Sequence, residues 1–164
     1  MSTVELRTPG PADLAALGRC HLKCWREAYG DLVDPARLEP FLADVEEFVG
    51  RWRRALLRGA GHVRIAEDAG DLVGFASVRP ATDEVPAYLQ SLYVRRSHWS
   101  TGLGQRLLDA VLDDQPATLE VLRDNARARR FYARNGFVPD GTEADEPRLG
   151  AVEIGMVRPA LDAV

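Results

Sequence analysis

Leu119-Glu120-Val121, running on to Asn125-Ala126-Arg127-Ala128-Arg129-Arg130-Phe131-Tyr132-Ala133-Arg134-Asn135-Gly136-Phe137, is the stretch whose reading decides the fold. It reads as a short buried strand, a polar turn, one compact helix and a glycine stop. Ala128, Phe131 and Tyr132 are spaced by three and one, so they share one helical face. Gly136 supplies the left-handed residue that ends such a helix, and Phe137 opens an apolar strand. A tyrosine on the inward face of this helix is either packing or a proton donor. The helix alone does not choose.

A second segment lies upstream: Leu92-Tyr93-Val94, then Arg95-Arg96-Ser97-His98-Trp99-Ser100-Thr101-Gly102-Leu103-Gly104-Gln105-Arg106-Leu107-Leu108. It reads as a strand, a glycine-bearing turn and an amphipathic helix. Together the two segments resemble the acetyl-CoA-binding core of the GNAT superfamily of N-acetyltransferases. That family carries a phosphate loop, Arg/Gln-x-x-Gly-x-Gly/Ala, after its fourth strand. Gly102 and Gly104 match it, and Trp99 stands where Arg or Gln is usual. The later pattern, Asn-x-x-Ala-x-x-Phe/Leu-Tyr-x-x-x-Gly-Phe, is matched by Asn125, Ala128, Phe131, Tyr132, Gly136 and Phe137. Two glycines one residue apart are common. Both patterns, in this order and at this separation, are specific.

Length and charge agree with that class. The chain has 164 residues, enough for one domain (1–164) with a sizeable core. A net charge of −4 disfavours a nucleic-acid or anionic-membrane partner. No apolar run approaches the roughly 18–20 residues that span a bilayer. The N-terminal residues do not read as a secretory signal, so the expected location is cytoplasmic. Cys20 and Cys24 lie four apart in a helical pattern. A zinc site needs about four ligands, so no metal is expected. The two cysteines read as reduced, packed thiols, with a redox pair as the alternative.

The rest of the chain falls into ordered elements. Val4–Arg7 alternates as a strand. Leu14, Leu17, His21, Cys24 and Ala28 form a helical stripe that Gly30 can end. Asp34-Pro35 and Glu39-Pro40 mark a connection. Asp44 with Glu47 has the form of a capping box before a second stripe of Val45, Phe48, Val49, Trp52 and Leu56, ending near Gly59 and Gly61. Strands are expected at His62–Glu67 and Leu72–Val78, joined by a turn over 68–71. A strand at Ala87–Val94, a helix at Leu103–Leu112, a strand at Ala117–Leu122 and a helix at Asn125–Asn135 follow. Phe137-Val138 and Ala151–Val157 form a terminal strand pair around an acidic, loop-like segment, Pro139–Gly150. This is the family's element order. The resemblance therefore implies an α/β (α+β) GNAT fold. Its central sheet is mixed and mostly antiparallel, splayed between strands 4 and 5 to admit the pantetheine arm, with helices on both faces.

The resemblance also implies transfer of an acetyl group from acetyl-CoA to a primary amine of a small molecule or peptide. A pyrophosphate is best met by backbone N–H groups at a helix N-terminus, and glycine lets the backbone come close. Trp99, Ser100, Thr101, Gly102, Leu103, Gly104 and Gln105 supply that turn, and Asn125 belongs to the second cofactor motif. The family places carbonyl polarisation on a backbone N–H within Leu92-Tyr93-Val94 and thiolate protonation on Tyr132. Arg127, Arg130 and Arg134 share a helical face and either meet the 3′-phosphate or form a solvated basic surface. Many relatives carry a glutamate base on the fourth strand. The nearest equivalent here is Tyr88, and Gln90 cannot take a proton. Glu84, Glu120 and Glu153 lie elsewhere, so deprotonation is expected through water, or through Tyr88 and a water chain. Trp25 and Tyr29, one helical turn apart, line an acceptor pocket or belong to the core, and Tyr88 is the third residue expected on the acceptor side. Asp140, Glu143, Asp145 and Glu146, with Glu153, either attract a cationic amine or form a solvated turn. A non-catalytic acyl-CoA-binding regulatory module on the same fold is the alternative reading, and a homodimer is left open.

Overall fold

Alternating apolar residues and helical stripes resolve into seven strands and five α-helices in the computed structural model, which describes residues 3–59 and 62–160. The expected helix end at Gly61 lies outside the described residues. In chain order the elements are β1 Glu5–Arg7, α1 Leu14–Tyr29, α2 Pro35–Leu42, α3 Val45–Leu57, β2 Val63–Asp68, β3 Asp71–Arg79, β4 Ala87–Val94, α4 Leu103–Leu112, β5 Ala117–Leu122, α5 Ala126–Arg134, β6 Val138–Glu146 and β7 Ala151–Arg158. One sheet holds all seven strands in the order β1-β2-β3-β4-β5-β7-β6. Every neighbouring pair is antiparallel except β4 and β5.

That exception positions the site. β4 and β5 pair only at Ala87↔Ala117 and Tyr88↔Thr118. Beyond Tyr88, β4 stays with β3 as far as Val94, while β5 stays with β7 as far as Leu122. The two strands therefore part, leaving the facing edge of β4 without a ladder partner. A bulge sharpens the divergence. Ser77 pairs with Ser91 but Val78 pairs with Leu89, so Gln90 is the extra residue, and bulges bend and twist the strand that carries them.

Helices cover both faces, as expected of layers that must bury an apolar side. On one face Leu17 and Cys24 of α1 and Trp52 of α3 pack on Ile65 and Phe75. On the other, Leu103 and Leu107 of α4 pack on Ala66, Val73 and Ala76. A third cluster joins Leu108 and Leu112 of α4 and Tyr132 of α5 to Leu119, Phe137 and Met156. Each fully buried Leu or Phe contributes about 1.5–3 kcal/mol. Cys20 and Cys24 are buried free thiols. His21 is buried as well, and burial followed by the charge of Arg51 brings its pKa down to about 3. It is neutral, and its Nδ1 accepts from Trp52 Nε1 at 3.1 Å.

Two segments differ from expectation. The Asp34–Pro40 connection is a helix, so three helices and not two precede β2. Asp34 caps it by accepting from Ala36 N at 2.9 Å, Pro35 sits in the first turn, and Leu38 and Leu42 bury. Pro35 marks a helix start, because the first turn has no intrahelical N–H bond to lose. The acidic segment after Phe137 is largely strand β6, on the sheet edge. Its ladder with β7 breaks between Pro139 and Glu143 and resumes to Glu146. It is exposed almost throughout, so no apolar alternation announces it. Among the described residues no helix is long and apolar enough to cross a membrane.

Candidate active site

Where β4 and β5 part, two cavities meet. The larger, about 460 Å³, lies between β4, the turn before α4, and α5. Strand alternation turns Leu92 and Val94 into it. The turn is held from several sides: Trp99 Nε1 donates to Val94 O at 2.8 Å, Thr101 Oγ1 donates to His98 O at 2.7 Å, and His98 Nε2 lies 2.8 Å from Asp68 Oδ2. Ser100 and Gly102 both take positive φ, 62° and 85°. Gly102 is the N-cap of α4 and offers no side-chain cap. The amides of Leu103, Gly104 and Gln105 have no hydrogen-bond partner among the described residues. An unfilled helix N-terminus of this kind suits an anion such as a pyrophosphate. Gly104 lies beside Phe131, and a Cβ there would sit 3.6 Å from its ring.

Of the loop residues singled out in the sequence, Trp99, Ser100, Gly102, Gly104 and Gln105 line this cavity. Leu103 is buried beneath α4, and Thr101 braces the turn. Trp99 lies half-buried, holding the end of β4. The Arg127 guanidinium stacks 3.6 Å over its ring, and Arg96 lies 5.2 Å from the same ring. Arg127, Arg130 and Arg134 all line the cavity, so the basic face of α5 looks into it. Among the described residues, no group of three or more His, Cys, Asp or Glu could hold a metal ion.

Asn125 and Gly136 set the helix that carries Tyr132. Asn125 Oδ1 accepts from Ala128 N at 3.1 Å, capping α5, and its side chain borders the second cavity. Gly136, at φ 84°, lets the chain reverse so that Phe137 N bonds to Tyr132 O. The Tyr132 ring packs edge-on against Phe131 and Phe137 at 5.4 and 5.8 Å. Its hydroxyl has no partner among the described residues, and the residue borders both cavities. Burial, and then the nearby Tyr29, raise its pKa, so the phenol keeps its proton.

The second cavity, about 200 Å³, opens on the other side of Tyr132. Trp25, Tyr29 and Tyr88, the three acceptor candidates, all line it. Tyr93 points this way too, on the opposite side of β4 from Leu92 and Val94. Its hydroxyl lies 2.6 Å from that of Tyr29. Burial pushes Tyr29 up to about 12 and holds Tyr93 well above the ordinary phenol range, so both are neutral. The Trp25 Nε1 group is buried without a partner among the described residues. Tyr88 donates to Glu120 Oε2 at 3.1 Å. Glu120, Glu146, Arg148 and Glu153 belong to the polar lining, with Gln90, Ser91 and Arg127. Glu146 is neutralised by Arg148, which donates to both its oxygens at 2.9 and 2.8 Å. Asp140, Glu143 and Asp145 do not line the cavity, whereas Glu120 does. Its place there depends on the pairing of β5 with β7, to which local sequence gives no clue.

The parallel pair β4–β5 thus splits, with an unfilled helix N-terminus in the cavity on one side and a carboxylate-lined pocket on the other. The chain belongs to the acetyltransferase (GNAT) family, whose model matches residues 20–137. It is an N-acetyltransferase, and enzymes of this family use acetyl-CoA. Over 158 residues it is 28% identical to the "Probable N-acetyltransferase Rv2775" of Mycobacterium tuberculosis, covering 93% of this chain and 90% of that one. The PaiA N-acetyltransferase of Thermoplasma acidophilum, solved in complex with coenzyme A, superposes with a TM-score of 0.73 at 20% identity, covering 93% of this chain and 98% of that one. A GCN5-related N-acetyltransferase from Rhodopseudomonas palustris gives a TM-score of 0.73 at 22% identity, with 98% of each chain covered. At these identities the two structural likenesses speak to the fold.

Proposed function

We propose that the chain, acting as one domain over 1–164 in the cytoplasm, transfers the acetyl group of acetyl-CoA to the primary amine of a small cationic molecule. One observation carries the reading: the two cavities share Leu92, Val94, Trp99, Arg127, Ala128 and Tyr132, so a thioester in one meets an amine in the other. The acyl donor brings a thioester carbonyl and a thiolate leaving group. The α4 amides and the α5 arginines receive its phosphates. The unpaired edge of β4 between Leu92 and Val94 offers backbone N–H to the carbonyl, and such preorganised donors lower the barrier where charge develops. Tyr132, protonated and unpartnered, gives its O–H to the sulfur. Alignment of the two reactants supplies much of the remaining rate.

The acceptor's charge follows from the second cavity. Once Glu146 is cancelled by Arg148, Glu120 and Glu153 remain, and among the described residues of the lining Arg127 at the shared wall is the one further cation. A protonated amine is drawn to such a lining. Thiol release from acetyl-CoA, measured against polyamines, aminoglycosides, amino acids and N-terminal peptides, tests the reading. Cationic amines should give the highest kcat/KM. A preference for acidic or neutral acceptors would overturn the assignment.

A further inference from the structure

We propose that Glu153, tuned by Glu120, takes the proton from the acceptor amine. This rests on the acetyl-transfer reading above and names the base that β4 lacks. Between Ala87 and Val94 there is no Asp or Glu, and Tyr88 holds its proton, with burial and then Glu120 pushing it up to about 12. The carboxylates come instead from the two strands beyond the split. Glu120 of β5 lies opposite Gly155 of β7, and Glu153 lies opposite Leu122. A register offset of two makes Glu120 and Glu153 diagonal neighbours on one face, about 7–8 Å apart at the backbone.

Both side chains line the second cavity beside Tyr132. The groups facing Glu153 divide cleanly. Glu120 accepts from Tyr88, and Glu146 is occupied by Arg148. Tyr29 and Tyr93 share their own hydrogen bond, and Arg127 stacks on Trp99. Glu153, half-buried, has no hydrogen bond or ion pair among the described residues, and the buried Trp25 N–H in the same lining is likewise unmatched. Both are groups a bound amine and its substituents can engage. Burial, then the charges of Glu120 and Glu146, raise the Glu153 carboxyl above its ordinary value, with Arg148 opposing. A base nearer neutrality holds a proton more effectively when the amine gives one up.

The protons balance. An ammonium sheds two N–H protons on becoming an amide. The first passes to the Glu153 carboxylate and then to solvent. The freed nitrogen lone pair forms the C–N bond, the C–S bond breaks, and its electron pair stays on sulfur. Tyr132 gives sulfur its O–H proton, and the second N–H proton, shed as the amide forms, restores the phenol through cavity water.

The test compares wild type, Glu153→Gln and Glu120→Gln with putrescine as the probe amine, across pH, with coenzyme A affinity measured alongside. Glu153→Gln should lower kcat by roughly 10²–10⁴-fold at neutral pH. Its rate should recover only as pH nears the amine's own pKa, about 10.4 for an alkylamine. Coenzyme A affinity should stay within about twofold, which shows the fold and donor site are intact. Glu120→Gln should move the acidic limb of kcat/KM to lower pH, because a like charge has been removed, and should raise KM for putrescine, because one of the two carboxylates that attract it is gone. An unchanged rate and pH profile in Glu153→Gln would overturn the proposal while leaving acetyl transfer standing. Absence of thiol release with putrescine in wild type would instead strike the reading of a small cationic acceptor. Carboxyl-carbon NMR of glutamate-labelled protein then judges the pair alone. The resonance missing from Glu153→Gln should titrate above the ordinary glutamate value and shift down in Glu120→Gln. An ordinary titration would overturn the proposal.

Discussion

Tyr132 is packed by its ring and free at its hydroxyl. Tyr132→Phe keeps both aromatic contacts and deletes only the O–H. It should lower kcat by roughly 10²-fold or more with coenzyme A affinity and stability nearly unchanged, the pattern of a contact made in the transition state. Unchanged kcat where chemistry is rate-limiting would return Tyr132 to packing alone. Trp99 does a different job. Its indole N–H holds Val94 O, and its ring carries Arg127. Trp99→Phe keeps a ring for the arginine but orphans the carbonyl, and should cost about 1 kcal/mol in urea unfolding and weaken coenzyme A in calorimetry. Gly136 was legible in the sequence as the left-handed stop of α5 and Gly102 as a turn glycine, because such roles are local; Asn125, read as the first residue of the helix, is instead its N-cap. The partners of Trp99 were not legible. Arg127 lies 28 positions further on, and nothing in the residues around Trp99 points to it.

Element ends tie the two substrate sides together. The Glu27 carboxylate in the last turns of α1 accepts from Arg95 Nη2 at 2.9 Å and from Arg96 N at 2.7 Å, while Arg96 Nη2 returns a bond to Glu27 O at 2.7 Å. The acceptor-side helix is thereby fixed to the start of the phosphate turn. Burial raises the Glu27 pKa, but Arg95 and the Arg96 amide outweigh it, so the net shift is downward from 4.5. A depressed carboxylate stabilises the fold fully above its unfolded pKa, and the contribution disappears as pH falls through the lower folded value. Glu27→Gln should therefore cost roughly 1–3 kcal/mol at pH 7 and much less near pH 3, as read by urea unfolding at both. An equal loss at the two pH values would mean that charge is not what holds the clamp. Where elements carried an apolar period, as in β4, α4 and β5, their bounds could be read directly. α2 was hidden by Pro35 and Pro40, which locally mark a connection, although Pro35 sits in its first turn. β6 was hidden by acidic residues on an exposed edge, where pairing with β7, and not side-chain burial, makes the strand.

At the scale of the whole molecule, the sheet order brings three distant segments to one cleft. The residues that line the larger cavity fall within the two motif stretches, because a turn and the helix it opens are contiguous in sequence. The acceptor half is assembled from α1, β4, β5 and β7, and the partnership of Glu120 and Glu153 exists only once β7 inserts between β5 and β6. A cationic acceptor drawn to this lining should show kcat/KM falling as salt rises from low to physiological ionic strength, while an uncharged hydroxylamine-type acceptor should show little change. Equal salt dependence for both would remove steering by the cavity. The most direct measurement is a crystal structure of the chain with coenzyme A. The expected result is the pantetheine arm lying between β4 and β5, the pyrophosphate on the amides opening α4, and the sulfur within hydrogen-bond reach of Tyr132. Coenzyme A seated outside the split, or a sulfur turned away from Tyr132, would contradict it.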